Sequence, residues 1–355
     1  MKYIIIIIAL IVILHLSSCI LFYEGSYYKG KPSSHFNGNN FFNQNSDGKK
    51  NFSSYHQSKK EYEQQFGKPY WPQHKIDIAA TIPLPKVEDA TIHATFVGHS
   101  TFLLQFAGLN ILTDPIWSMR ASPISFLGPK RIKQPGINFI DLPPIDIVLI
   151  SHSHYDHLDL PTIKMLKKHS NPHFFAGLGT CHYFNVIHKL QLNCTELDWQ
   201  QSFSFNPQLN ITFLPAKHWS KRMLFGNNAM LWGAFALSGK SGKIYFAGDT
   251  GFDTHFADAG NDFNGFDLAL LPIGAYKPQS FMSNHHTSPR EAVLAMQQLN
   301  AKKAIAMHFE TFQLASDSFS DPLNDLQSAL QQQQISSNDF VALQPGEKII
   351  ITQQP

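Results

Sequence analysis

The sequence predicts a layered α/β fold, and two features of the chain support this prediction. From about residue 90 onward, short apolar runs rich in β-branched residues recur and stop at polar clusters, as buried strands do. Between these runs stand segments with helical spacing, such as LPTIKMLKKH at 160–169. A further helix is predicted to begin at Ser288, with Pro289 at its first position and Glu291 completing a capping box.

Composition and charge narrow the class of function. The chain has 355 residues, 43% of them hydrophobic and 15% charged, which is typical of a globular protein. Its 28 basic and 26 acidic residues give a net charge of +2, and this near balance argues against nucleic acid as a partner. The 18 histidines instead favour a metal site or acid–base chemistry. The sequence leaves open whether the chain forms a homodimer.

The first residues are predicted to be a targeting signal. Residues 1–19 carry Lys2, an apolar run over 4–14 and small residues before Cys19, and the run is shorter than a membrane-spanning helix needs. The sequence LSSC at 16–19 resembles a bacterial lipobox, which predicts a lipidated Cys19. We therefore expect the protein in the bacterial cell envelope, anchored to a membrane through Cys19 and facing the periplasm or the exterior. An uncleaved anchor helix through Phe22 is the alternative.

The rest of the chain divides into a polar segment and a folded domain. Residues 20–60 are rich in Asn, Ser, Gly, Gln and Lys and have neither a strand nor a helix period, so a flexible tether is predicted there. The folded domain is predicted over 61–355. It contains two cysteines, Cys181 and Cys194, which either pair in an oxidising compartment or remain buried free thiols.

Chemically active side chains stand at the ends of predicted strands. The stretch SHSHYDHLDL at 151–160 directly follows the apolar run IDIVLI at 145–150, and three other predicted strands are followed by His218, Asp249 and His308. Ligands in layered α/β folds gather outside strand ends, so we expect these groups to converge. The expected set is His152, His154, Asp156, His157, His218, Asp249 and His308.

This set has the composition of a metal centre. A His-x-His pair on an extended strand end puts both imidazoles on one side, and imidazole and carboxylate are ligands that suit Zn²⁺. Seven ligands exceed what one tetrahedral ion takes, and they fit two ions that share a carboxylate. Two such ions activate a water and hold both the attacking and the leaving oxygen of a displacement.

Beyond the metal ligands, the chain resembles the N-acylphosphatidylethanolamine-hydrolysing phospholipase D family of the metallo-β-lactamase superfamily over roughly residues 60–350. The resemblance implies a metallo-β-lactamase fold, a four-layer αββα sandwich, for the hydrolase domain at 61–355. It rests on the stretches GHST, LTDPIWSMRASPISFLGPKR, SHSHYDHLD, GLGT, KHWSKR, LWGAFALSG, FAGDTGF, LPIGAYKPQSFM and MHFETF.

The resemblance also implies roles for individual residues. One zinc ion would be held by His152, His154 and His218, the other by Asp156, His157 and His308, with Asp249 bridging the two. Asp249 and His286 are the predicted catalytic residues, and His286 is not a metal ligand. Because His286 precedes the predicted capped helix, it and the positive helix end are both expected to face an anionic phosphate. Asp114 is expected to orient a metal-bound histidine, with a plain Asp-Pro turn as the alternative.

The activity implied by the resemblance is that of a di-zinc phosphodiesterase of phospholipase D type. It would hydrolyse N-acylphosphatidylethanolamine-like lipids at a membrane surface to N-acylethanolamine and phosphatidic acid. The alternatives are another metal-dependent hydrolase of the same fold, such as a lactonase or a different phosphodiesterase, or a non-catalytic lipid-binding envelope lipoprotein. A relic site would have lost ligands, and all seven are present.

Overall fold

The computed structural model describes residues 26–44, 52–87, 91–222 and 227–352. The predicted signal segment at 1–19, including Cys19, lies outside the described residues. No helix within the described residues is long and apolar enough to cross a bilayer.

The first sheet has seven strands in the order β14-β1-β2-β3-β4-β5-β6. Strands β14 to β3 pair antiparallel, whereas β3 to β6 pair parallel. The strands are β1 Thr91–Gly98, β2 Thr101–Phe106, β3 Leu109–Thr113, β4 Ile147–Ile150, β5 His173–Gly177, β6 Cys194–Leu197 and β14 Lys348–Thr352.

The second sheet repeats this plan with seven strands in the order β13-β12-β11-β10-β9-β8-β7. Strands β7 to β10 pair antiparallel, and β10 to β13 pair parallel. The strands are β7 Ser202–Asn206, β8 Leu209–Leu214, β9 Ala234–Gly239, β10 Gly242–Phe246, β11 Phe266–Pro272, β12 Ala301–Met307 and β13 Phe340–Val341.

Helices follow the parallel strands, as crossover connections require. A short 3₁₀ turn, Phe139–Asp141, precedes β4, and a π-helical turn, Tyr183–Ile187, follows α3. The helices are α1 Phe52–Phe66, α2 Leu160–His169, α3 Thr180–His182, α4 His255–Asp262, α5 Gln279–Met282, α6 Pro289–Gln298 and α7 Asp321–Gln333. The predicted capping box is present at the start of α6, where the Ser288 hydroxyl accepts from the Glu291 amide.

The buried residues show how the sheets and helices are layered. Phe102 of β2 and Phe213 of β8 belong to one large apolar core between the two sheets, and this core continues into the helix layer, where Tyr245 of β10 contacts Phe256 of α4. On the opposite face of the first sheet, Leu103 of β2 packs in a second core that includes Ile163 of α2. Because these strands are covered on both faces, they are mainly apolar and do not alternate regularly with polar residues. The predicted four-layer αββα sandwich is confirmed.

The segment before the sandwich differs from the flexible tether predicted for 20–60. Within residues 26–44, Tyr27, Phe36 and Phe41 are buried against the domain, and Phe36 and Phe41 join the inter-sheet core. The backbone amides of Tyr27 and Phe41 donate to the carbonyls of Ala229 and Asn228. Polar composition predicted disorder here, but a few widely spaced aromatic residues bury enough apolar surface to dock the segment.

The structure resolves the alternative left open for the two cysteines. Cys181 in α3 and Cys194 at the start of β6 form a disulfide across a sequence separation of 13 residues. It joins the helix that follows β5 to the edge strand of the first sheet.

Removing this disulfide should destabilise the domain. In the double variant Cys181→Ser/Cys194→Ser the unfolded chain regains conformational freedom, worth about 3 kcal/mol for a loop of this size. Urea unfolding followed by circular dichroism measures the loss as a lower midpoint. Wild type treated with dithiothreitol is the matched control and should show the same lowered midpoint. Equal midpoints for the oxidised wild type and the double variant would contradict a stabilising bond.

Candidate metal centre

The segment after β4 presents most of the candidate ligands. His152 and His154 project from the extended chain just beyond Ile150, with His152 Nε2 only 2.8 Å from His154 Nδ1. The amides of His157 and Leu158 both donate to the carbonyl of His154. This tight turn brings Asp156 and His157 back beside the first two histidines, as the motif predicted.

Three other strand ends supply the remaining ligands. His218 follows β8, Asp249 follows β10, and His308 comes directly after β12. The Gly248 next to Asp249 is required there, since it has a φ of +59° and a Cβ would lie 2.5 Å from the side chain of Ser151. Strand ends of both sheets therefore meet at one edge of the sandwich.

The first ligand group contains His152, His154 and His218, whose nitrogen atoms lie within 4.8 Å of one another. His218 Nε2 is 3.2 Å from His154 Nδ1. On its other side, His218 Nδ1 is 2.8 Å from the carbonyl oxygen of His285, to which it donates. That hydrogen bond fixes the tautomer and leaves the Nε2 lone pair directed at the centre.

The second ligand group contains Asp156, His157 and His308. The Oδ2 atom of Asp156 is 3.2 Å from His157 Nε2 and 3.2 Å from His308 Nε2. One carboxylate oxygen and two imidazole nitrogens therefore converge on a single point from two parts of the chain, the turn after β4 and the end of β12.

Asp249 lies between the two groups. Its Oδ2 is 3.0 Å from His308 Nε2 and 3.2 Å from His157 Nε2 in the second group. The same atom is 4.0 Å from His152 Nε2 and 3.9 Å from His218 Nε2 in the first group. Asp249 is thus placed to be shared, while its Oδ1 is buried without a hydrogen-bond partner among the described residues.

Asp114, at the end of β3, orients one of these histidines. Its Oδ2 is 2.6 Å from His157 Nδ1, and its Oδ1 accepts from the Ser151 amide at 2.7 Å. Both aspartate and histidine are fully buried. The contact holds the ring of His157 so that Nε2 faces Asp156 and Asp249, which is the supporting role predicted for Asp114 and not a plain turn.

The pKa values of the histidines differ between the two ligand groups. Burial lowers the pKa of His152 and His218 well below the ordinary value and that of His154 to about 4, so these imidazoles are neutral with free lone pairs. Burial also lowers the pKa of His157 and His308, but Asp249 and Asp156 outweigh it, raising the pKa of His308 to about 9 and that of His157 well above normal.

The pKa values of the two buried carboxylates, Asp156 and Asp249, shift in the opposite direction to those of His157 and His308. Burial raises the pKa of Asp156 and Asp249, but their contacts with His157 and His308 outweigh this and hold both pKa values well below the ordinary range. Without metal, protons on two imidazoles therefore balance two buried carboxylates. Cations at these positions would replace those protons, so the donor set fits metal ions.

His99 is a member of the second group that the sequence analysis missed. It stands between β1 and β2, and its Nε2 is 2.9 Å from Asp156 Oδ2. Burial lowers its pKa to about 3, so it is neutral. The signal was present in the stretch GHST at 98–101, but a lone histidine in a hairpin turn had no metal-ligand spacing to mark it.

His286 lies at the rim of the same cluster, with Nδ1 at 3.8 Å from Asp249 Oδ2. Burial lowers its pKa to about 3, so its ring is neutral and one of its two nitrogens carries a proton that it can donate. Whether the start of α6 also faces a phosphate stays a prediction, and the capping box there is the contact that the structure shows. There the Ser288 amide and hydroxyl both donate to Glu291 Oε2, and this carboxylate occupies the positive helix end.

Comparison with known proteins agrees with this geometry. Residues 109–309 match the β-lactamase superfamily domain. The chain is 35% identical over 295 residues to N-acyl-phosphatidylethanolamine-hydrolyzing phospholipase D 1 of Caenorhabditis elegans, which covers 78% of this chain and 82% of that protein. It is 34% identical over 242 residues to the mitochondrial enzyme of that name from Saccharomyces cerevisiae, covering 66% of this chain and 51% of the yeast protein.

A solved structure gives the same fold. A metallo hydrolase from the archaeon Ignicoccus hospitalis superposes with a TM-score of 0.57 at 22% identity, covering 74% of this chain and all of that one. Together with the convergent histidines and aspartates, these similarities place the chain among metal-dependent hydrolases. The protein belongs to the N-acylphosphatidylethanolamine-hydrolysing phospholipase D family of the metallo-β-lactamase superfamily.

Proposed function

We propose that the protein is a di-zinc phosphodiesterase of phospholipase D type that hydrolyses N-acylphosphatidylethanolamine-like lipids. The observation that carries the proposal is the position of Asp249, whose Oδ2 is 3.0–4.0 Å from histidine nitrogens of both ligand groups. A single shared carboxylate between two ligand groups favours two ions over one. The name of the C. elegans relative, an N-acyl-phosphatidylethanolamine-hydrolyzing phospholipase D, supports the choice of lipid.

The ligand types favour zinc. One group offers three imidazoles, and the other offers the carboxylate of Asp156 and the imidazoles of His99, His157 and His308, which are the donor types that Zn²⁺ takes in hydrolases. When bound, a pair of such ions supplies Lewis acidity toward the phosphoryl oxygens and makes water nucleophilic at neutral pH. The chain itself sets the geometry, since Asp114 fixes His157 and the carbonyl of His285 fixes His218.

His286 acts on the leaving group in this proposal. Hydrolysis forms a bond from water oxygen to phosphorus and breaks the bond from phosphorus to the ethanolamide oxygen, and the proton released by the attacking water ends on that oxygen to give N-acylethanolamine. His286 is neutral and its Nδ1 has no hydrogen-bond partner among the described residues. It therefore serves as a hydrogen-bond donor toward that oxygen rather than as a charged acid.

We also propose that the protein resides in the bacterial cell envelope, anchored through a lipidated Cys19. The disulfide between Cys181 and Cys194 supports an oxidising compartment, because such bonds persist outside the reducing cytosol. A membrane anchor suits an enzyme whose substrate resides in a bilayer.

The product assay tests the function directly. Purified protein incubated with N-acylphosphatidylethanolamine vesicles should release N-acylethanolamine and phosphatidic acid, detected by mass spectrometry, and should carry two zinc ions per chain by elemental analysis. Asp249→Ala removes the shared ligand, so it should lose at least one ion and the activity.

Asp253→Ala is the matched control for the metal measurement. Asp253 is four residues further along, pairs with Lys217 at 3.1 Å and lies outside the ligand groups. It should keep both ions. A wild-type protein with one ion, unchanged in Asp249→Ala, would contradict the two-metal centre, and release of diacylglycerol instead of phosphatidic acid would contradict the phospholipase D reaction.

His286→Ala should keep its zinc and lose turnover. A positioned donor at a leaving oxygen contributes about 10²–10⁴-fold, so the rate on the natural lipid should fall by about that factor. A nitrophenyl phosphodiester has a leaving group that needs little help, so the variant should lose much less rate on it. Equal losses on both substrates, together with a lower melting temperature, would assign His286 a packing role only.

Replacing Cys19 should remove the membrane anchor. In cells fed a fatty-acid probe, wild type should be labelled and recovered with membranes, whereas Cys19→Ala should carry no label, because lipidation needs the thiol. Stable anchoring requires more than one acyl chain, so washing membranes in high salt should not release the wild type. An unlabelled wild type that remains membrane-bound would favour the uncleaved anchor helix instead.

A further inference from the structure

A loop that follows β3 leaves the sandwich and returns to it. We call residues Met119–Arg131 the apolar loop. Its two ends are joined, since the Arg131 amide donates to the Met119 carbonyl at 2.9 Å and the Ala121 amide donates to the Pro129 carbonyl at 3.1 Å. The Arg120 guanidinium also donates to the carbonyl of Gly128. These bonds give the loop a closed base and a defined tip.

The tip presents large apolar side chains to solvent. Ile124 is 41% exposed, Phe126 79% and Leu127 59%, and all three stand within four residues of one another. A single exposed apolar residue is ordinary on a protein surface, but an apolar cluster on an ordered protrusion indicates a binding surface. Leaving these side chains in water has no benefit to the fold, because none of them contributes to its cores.

The charge around the tip is of one sign. No aspartate or glutamate occurs anywhere from residue 115 to residue 140, while Arg120 and Lys130 flank the tip on both sides. An apolar tip between two cations complements a surface that is apolar inside and anionic outside, which describes a phospholipid bilayer. A second copy of this loop would fit poorly, since it would bring like charges together.

The loop stands at the same edge of the sandwich as the metal centre. Arg131 at its base is buried, donates to the carbonyls of Ile116 and Ser118, and lies 4.9 Å from the centre of the Phe312 ring. Phe312 in turn contacts the ring of His99 at 5.2 Å, and His99 bonds to Asp156. Two packed side chains therefore connect the loop base to a candidate metal ligand.

We propose that the apolar loop inserts into an anionic phospholipid surface and brings the metal centre to the level of the lipid headgroups. The inference rests on the proposed function and deepens it, because it assigns the contact by which a bilayer substrate reaches the centre. This contact is separate from the anchor proposed at Cys19, and it orients the domain as well as retaining it.

Fluorescence of the full chain tests the insertion without any turnover. Phe126→Trp places a reporter at the tip, and vesicles of phosphatidylcholine and phosphatidylglycerol with brominated acyl chains quench an indole that enters the hydrocarbon. We expect a blue shift and strong quenching on these vesicles, and weaker effects on phosphatidylcholine alone, where the anionic charge is absent.

Ile140→Trp is the matched control. Ile140 is 86% exposed and lies outside the apolar loop, and its neighbour Phe139 contacts His169 at the last turn of α2. Its indole should show no quenching on either vesicle. Equal quenching of the two reporters, or none at Phe126→Trp, would overturn the proposal, whatever holds the rest of the chain on the membrane.

A second variant gives a catalytic readout. Phe126→Ser/Leu127→Ser changes only exposed side chains, so its melting temperature should match wild type. Its rate on N-acylphosphatidylethanolamine in vesicles should fall at least about tenfold, since burying even one such side chain favours binding by that factor. Its rate on the soluble nitrophenyl phosphodiester should be unchanged, whereas equal rates on vesicles would overturn the proposal.

Different results would contradict the proposed lipid hydrolysis and the proposed insertion of the apolar loop. If the Phe126→Trp indole is quenched but no N-acylethanolamine is released by wild type, the lipid activity is wrong and the insertion stands. If the lipid is hydrolysed at the same rate by wild type and by the double serine variant, and the indole is not quenched, the activity stands and the insertion is wrong.

Discussion

The buried carboxylate of Asp249 is the constraint on which the centre depends. A carboxylate removed from water is costly unless it is paired with positive charge, and this one is fully buried between histidines from three different strand ends. Protons on His157 and His308 provide that charge in the metal-free protein, where the pKa of His308 is raised to about 9. Metal ions at this centre would replace those protons, and metal affinity and folding stability would then be linked at this point.

The two sheets hold the backbone on both sides of the metal centre in place, so that many polar ligands can be buried close together. Each ligand follows a strand that is buried on both faces, so the backbone around it is held by sheet hydrogen bonds and by the apolar core. Hydrogen bonds and close packing then fix the orientation of the ligand side chains. Asp114 fixes one ring, the His285 carbonyl fixes another, and Gly248 allows the chain beside Asp249 to approach Ser151. Rigid elements therefore carry the site, and few of its members depend on flexible loops.

Most of this arrangement could be read from the sequence, because strand ends gather at one edge and the spacing His-x-His-x-Asp-His is specific. What escaped prediction has physical reasons. His99 lies in a hairpin turn with no ligand spacing, and only the folded chain brings it to 2.9 Å from Asp156. Composition suggested a tether over 20–60, although Phe36 and Phe41 bury their rings in the core.

The docked segment also changes how an anchor at Cys19 would hold the enzyme. The Asn43 side chain donates to the carbonyl of His218 at 2.8 Å, so the segment is bonded directly to the backbone of a candidate ligand. Ser26, the first residue that the structure describes, donates from its hydroxyl to the carbonyl of Ala229 and is only seven residues after Cys19. Seven residues span at most about 25 Å when fully extended, against more than 100 Å for a free tether of forty. A lipid at Cys19 would therefore keep the domain close to the bilayer, within reach of a surface contact such as the one proposed for the apolar loop.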